Sequence, residues 1–222
     1  MYKIIYLSLF VVTMFFSVTQ ILAQEKPEFG TILKSESEFT FYEKDPEATG
    51  IFLSEYGHNF FDVRDDYIWL ITKYHAKVKV LNMEGFKNAD IEIPLYHSKK
   101  SKEKIVNIRA ITHYNGMRIP VKAEEFYEEE VNEKWTQLKF TFPNVQEGAI
   151  LEYEYEMQSP FHFNFEGWEF QTDIPKLYSE FYAEIPGNWL YNRSIIGSLK
   201  LSVDESRILS SCFKFPGLKQ DS

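Results

Sequence analysis

Residues 137–157 alternate apolar and polar side chains twice over, and that alternation restricts what this chain can fold into. Leu138, Phe140 and Phe142 alternate with polar neighbours; after residues 143–148, Leu151, Tyr153, Tyr155 and Met157 alternate with Glu152, Glu154 and Glu156. A period of two places successive side chains on opposite faces of an extended strand, so each half reads as a strand with one buried face. Pro143, Asn144 and Gly148 lie between the halves and are turn residues, which predicts an antiparallel pair. Seven large side chains on one face then need a second layer to cover them.

The rest of the chain repeats this pattern with little helical signal. Residues 24–42 form a weakly patterned lead-in. Asp45-Pro46-Glu47-Ala48 predicts a capped helical turn, with Asp at the cap and Pro at the first position. Residues 50–57 read as a strand ended by Gly57, and residues 60–63 as its extension past a bend. Residues 67–81 carry the longest strand signal: Ile68, Leu70, Thr72, Tyr74, Ala76, Val78 and Val80 share one face, and Lys73, His75, Lys77 and Lys79 share the other, predicted to be wet. Further strands are expected at 89–95, 106–114, 119–121, 168–172 and 176–185, with weaker ones near 198–203 and 207–215. Residues 98–104 are a charged loop, and the acidic run 123–131 predicts one or two helical turns. Many short strands separated by turns predict an all-β fold, an antiparallel β-sandwich or partly closed barrel, in one domain over 24–222.

The first 23 residues read differently. Lys3, the apolar run 4–16 and a mixed stretch ending in the small residue Ala23 predict a signal peptide cleaved between Ala23 and Gln24, and therefore a periplasmic or extracellular protein without a membrane anchor after cleavage. The formal net charge is −9 with no basic stripe, which argues against nucleic acid as a partner. Cys212 is the single cysteine, so no internal disulfide forms. Burial has to hold the fold together, and an aromatic content of 17% suits that task.

No residue pattern points to catalysis. Cys212 sits in a strand-like stretch without the loop or helix start that activates a thiol. His58, His75, His97, His113 and His162 are scattered without metal-ligand spacing and read as surface or structural histidines. Glu152, Glu154 and Glu156 line one strand face, too flat for calcium, and read as a solvated row pairing with Lys77 or Lys79. Asn192-Arg-Ser194 matches a glycosylation sequon. Catalytic, cofactor and metal residues are therefore expected to be absent. The aromatic loop 160–167 and the residue after it supply candidate ligand contacts, Phe161, Phe163, Phe165 and Trp168. Rings on a loop can form a sugar- or peptide-binding platform; they can equally fold over the open end of a sandwich.

In several of these segments the chain resembles the bacterial family called domain of unknown function 3857. The resemblance rests on Asp45-Pro-Glu-Ala48 with Ile51-Phe-Leu53, Lys77-Val-Lys-Val-Leu-Asn-Met-Glu-Gly85, Ile91-Glu-Ile-Pro94, and Ile108-Arg-Ala110 with Asn115-Gly116. It continues through Phe140-Thr-Phe-Pro-Asn-Val-Gln-Glu-Gly148 with Leu151-Glu-Tyr153, then Trp168-Glu-Phe-Gln171, Ile174-Pro175 and Glu184-Ile-Pro186, in order over about 45–186. It implies a sandwich-like domain that precedes a transglutaminase-like core in exported proteins. No Cys, His, Asp core follows Pro186, so nothing catalytic carries over. The expectation is a non-catalytic, exported interaction or accessory domain, its partner a transglutaminase-like protein or a second copy, met through the C-terminal strands. The alternative is a carbohydrate- or peptide-binding module using the aromatic loop.

Overall fold

A computed structural model describes residues 28–165, 167–197 and 199–209. Nine strands, β1 (Gly50–Arg64), β2 (Tyr67–Val80), β3 (Asp90–Tyr96), β4 (Lys104–Tyr114), β5 (Met117–Pro120), β6 (Tyr127–Asn132), β7 (Trp135–Thr141), β8 (Ile150–Ser159) and β9 (Ser179–Ala183), form two sheets among the described residues. The larger runs β5-β4-β8-β2-β1-β9 and the smaller β3-β7-β6, and together they make a β-sandwich. Ala76, Val78, Ala110, Leu151 and Met157 of the larger sheet meet Ile93, Leu95, Leu138 and Phe140 of the smaller in the main core. Among the described residues no helix is long and apolar enough to cross a membrane.

Residues 137–157 fold as strands, but not as the expected hairpin. β7 pairs with β3 and β6, whereas β8 pairs with β2 and β4 in the other sheet. The turn residues 142–149 carry the chain from one layer to the next. Each strand's apolar face then covers the other's: Phe140 and Phe142 lie 6.0 and 6.1 Å, ring centre to ring centre, from Tyr153. Turn chemistry shows that the chain reverses; it does not show whether the returning strand bonds edge to edge or packs face to face.

Other expectations change too. β1 runs unbroken through Gly57 because the glycine leaves room for the Trp168 ring; an added Cβ would sit 2.2 Å from Trp168 Cζ3. Residues 45–48 form a turn closed by Ala48 N donating to Asp45 O (3.1 Å), not a helical turn. The acidic run contains a single 3-10 turn, Ala123–Glu125, and then becomes β6, since pairing with β7 supplies backbone partners that an exposed acidic helix would lack. Residues 168–172, 199–203 and 207–209 hold no strand, and residues 198 and 210–215 of the weaker expected strands lie outside the described residues. β9 is shorter than expected and runs parallel to β1, so the larger sheet is mixed at its edge.

The lead-in turns out to be a covering layer. Residues 28–42, with the short helix α1 (Lys34–Glu38), lie across the outer face of the larger sheet. Ile32, Phe39, Tyr42 and Leu81 pack on Ile51, Leu53 and Ile150 in a second, smaller core. The face predicted to be wet is therefore largely dry: His75, Lys77 and Lys79 are buried, and Lys73 alone of that row is exposed.

Candidate functional site

The aromatic loop leaves β8 at Ser159 and is held by a carboxylate that sequence reasoning passed over. Glu103 is fully buried. Its Oε1 accepts from Ser159 Oγ (2.7 Å) and Asn164 Nδ2 (3.0 Å), and its Oε2 accepts from the Tyr96 backbone N–H (2.6 Å). Both carboxylate oxygens are thus hydrogen-bonded, which is what keeps a buried carboxylate from being a liability. His162 Nε2 donates to Ile68 O (2.7 Å), and Tyr191 Oη donates to His162 O (2.6 Å). Glu103 stands among lysines in the sequence, and no local signal separates it from a solvated charge.

So anchored, the four candidate rings go to three places. Phe161 and Phe163 gather at the end of the smaller sheet around Tyr96, which lies 4.8 Å from Phe161, 6.4 Å from Phe163 and 5.3 Å from Trp135. Phe163 is 77% exposed, so this cluster presents a ring to solvent. Phe165 turns inward between Phe61 and Tyr191 (6.1 and 5.3 Å). Trp168 lies over Gly57, stacked on Phe181 at 5.2 Å, with Nε1 donating to Ser179 Oγ (2.9 Å). Tyr96 and Trp135 join the half-buried Phe161 and the exposed Phe163 because they are cross-strand partners on the outer face of β3 and β7.

A second polar constellation lies under the 28–42 segment. Glu152 on β8 stands between two imidazoles: His75 Nε2 on β2 donates to Oε1 (2.8 Å), and His113 Nε2 on β4 donates to Oε2 (2.7 Å). Gly30 N–H adds a third bond, to Oε2 (2.9 Å). Burial alone would raise the Glu152 carboxyl, but the hydrogen bonds from His113 and His75, the charge interaction with His75 and the Gly30 amide outweigh it and hold the group at about 2. Because a carboxylate only accepts, both histidines present an Nε2–H to it, while His75 Nδ1 is buried without a partner among the described residues. The solvated glutamate row is corrected accordingly. Glu152 is buried, Glu154 pairs with Arg109, and Glu156 accepts from Arg64 (2.8 Å). Lys77 pairs with Glu36 of α1 (3.1 Å) and donates to Thr31 O (2.6 Å), not to the glutamates beside it. Burial pulls the Lys79 ammonium below the usual lysine value, and Glu36 partly restores it.

On the inner face, Glu55 accepts from Lys176 Nζ (2.7 Å), Ser179 Oγ (2.9 Å) and Tyr74 Oη (2.8 Å). Burial, then Tyr153 and Glu55, push the Tyr74 hydroxyl well above its usual value; burial takes Tyr153 up to about 12, its bond to Tyr74 opposing that rise. The carboxylates of both constellations are satisfied within the fold and buried, and what this geometry does is tie the covering segments to the sheet. Among the described residues no group of three or more His, Cys, Asp or Glu side chains is placed to hold a metal ion. Cys212 and the Ala23–Gln24 junction lie outside the described residues.

No family model matches the chain, and no curated protein matches it. Solved structures do: one is a crystal structure of a "putative protease" from Parabacteroides distasonis, 9% identical, with a TM-score of 0.42. The match covers 50% of this chain and 23% of that one, so the chain spans less than a quarter of that neighbour's length, and the name describes that protein.

Proposed function

We propose that this is a non-catalytic, exported accessory domain that docks a transglutaminase-like chain through residues 189–209. The observation that carries the reading is the apolar surface of this segment. Leu190 and Ile208 are fully exposed, Ile196 nearly so, and Leu199 and Val203 by about two thirds, on backbone without regular structure. Apolar side chains spaced along an exposed segment favour a partner that covers them. The family resemblance supplies the kind of partner, and Lys3, the run 4–16 and Ala23 supply the export.

Sedimentation of the mature protein across a range of concentrations, alone and with a transglutaminase-like core supplied in trans, tests this alongside a dye that reports apolar surface. The expected result is dye binding by the free protein, co-sedimentation with the core, and loss of both in Leu190→Ser/Ile196→Ser. A monomer that binds neither dye nor core overturns the docking; an intact Met1 at the amino terminus of the native protein overturns the export.

A second reading, a carbohydrate- or peptide-binding module, is favoured by the Tyr96, Trp135, Phe161 and Phe163 cluster with its exposed ring. On a glycan and peptide array, Phe163→Ala should abolish saturable binding. Trp168→Ala should act through stability instead, since that ring is spent on Gly57 and Phe181.

A further inference from the structure

We propose that the groove between the 97–104 loop and β6 binds a carboxylate-bearing sugar of the uronate class. It is an open groove of about 640 Å³ whose lining includes Lys99, Lys100, Lys102, Lys104, Trp69 and Glu130. That volume falls within the range of small-molecule sites, roughly 300–1,000 Å³. In a chain with 33 acidic and 24 basic residues, four ammonium groups in one six-residue stretch are a local reversal of sign. Lys102 is paired with Glu128. Lys99, Lys100 and Lys104 have no ion pair among the described residues.

The loop backbone that carries the lysines is also held in place. His97 and Lys102 bridge across the loop, Ser98 N donates to Ser101 O (2.8 Å), and Ser98 Oγ accepts from Lys100 N and Ser101 N (3.3 and 3.2 Å). Holding like charges together costs free energy, and an anion relieves that cost without ordering the loop. The opposite chemistry sets the class of anion. Glu130, on β6 beside Thr136 of β7, is a carboxylate that repels a second anion but accepts from hydroxyls. A uronate ring presents a carboxylate on one edge and hydroxyls on the other, and its C–H face matches the indole of Trp69. An acidic peptide would satisfy the lysines alone.

Calorimetry of the full chain with a short oligogalacturonate, its methyl ester and a polyglutamate of equal charge tests this. The expected result is saturable binding of the oligogalacturonate only. It should weaken about tenfold in Lys99→Gln/Lys100→Gln and with rising salt, and stay unchanged in the distant pair Lys44→Gln/Lys87→Gln. Trp69→Ala should weaken it too, with circular dichroism reporting whether the fold is intact. No binding, equal binding of polyglutamate or of the methyl ester, or indifference to Lys99→Gln/Lys100→Gln would each overturn the proposal. None of these residues belongs to the 189–209 segment, so the result is independent of the docking reading.

Discussion

At the scale of single residues, the structure turns on a few positions where packing permits one choice. Glu152 is the clearest. Its folded value, about 2, lies below the usual 4.5, so its contribution to stability is complete above about pH 4.5 and is lost as pH falls through about 2. That difference corresponds to on the order of 3 kcal/mol. Glu152→Gln turns one acceptor into a donor facing a histidine donor. Urea unfolding at pH 7 should show a loss of about 3 kcal/mol, and the variant's stability should fall less than the parent's between pH 4.5 and 2. Parallel profiles would mean that Glu152 does not titrate in this window. Gly57→Ala meets the Trp168 ring at once, and the expected loss is about 1–3 kcal/mol with altered near-ultraviolet dichroism. An unchanged spectrum would show that the ring does not rest there.

At the scale of elements, the 28–42 segment matters most, because it makes a second buried face out of a sheet that would otherwise be half solvated. Its anchors are of two kinds: Ile32 and Phe39 against Ile51, Leu53 and Ile150, and polar bonds from Gly30, Thr31 and Glu36. Ile32→Ala with Phe39→Ala should cost about 2 kcal/mol in total, below the fully buried values because both side chains are half-buried. Amide exchange should then accelerate at Gly30 before it does in β2 and β8. Uniform acceleration would show that the segment opens only with the whole fold. Much of the element layer was legible: alternation located β2, β4, β7 and β8 to within a few residues. The 28–42 segment was not, because its few apolar residues follow no period and its polar ones bond to residues far along the chain.

At the scale of the whole molecule, the sandwich divides into a well-bonded body and an exposed end. Between residues 184 and 209 no strand forms among the described residues, while Trp189 and Tyr191 still pack on Phe61 and His162. Limited trypsin digestion should therefore cut first at Lys200 and Arg207, leaving a fragment that retains β1 to β9; early cleavage at the buried Lys77 or Lys79 would contradict the fold. The sequence by itself determined that the chain is built of strands and which side chains share a face, since a period of two follows from the extended backbone alone. It could not determine that β7 and β8 part into different sheets, or that Glu103 anchors the aromatic loop. Nor could it show that His75, Lys77 and Glu152 lie in the dry. Those depend on which segment covers which face, and for a charged side chain burial is favourable only when a partner distant in sequence arrives to satisfy it. Only the tertiary structure decides that, because it brings Gly30, Glu36 and His113 to the same side of one sheet.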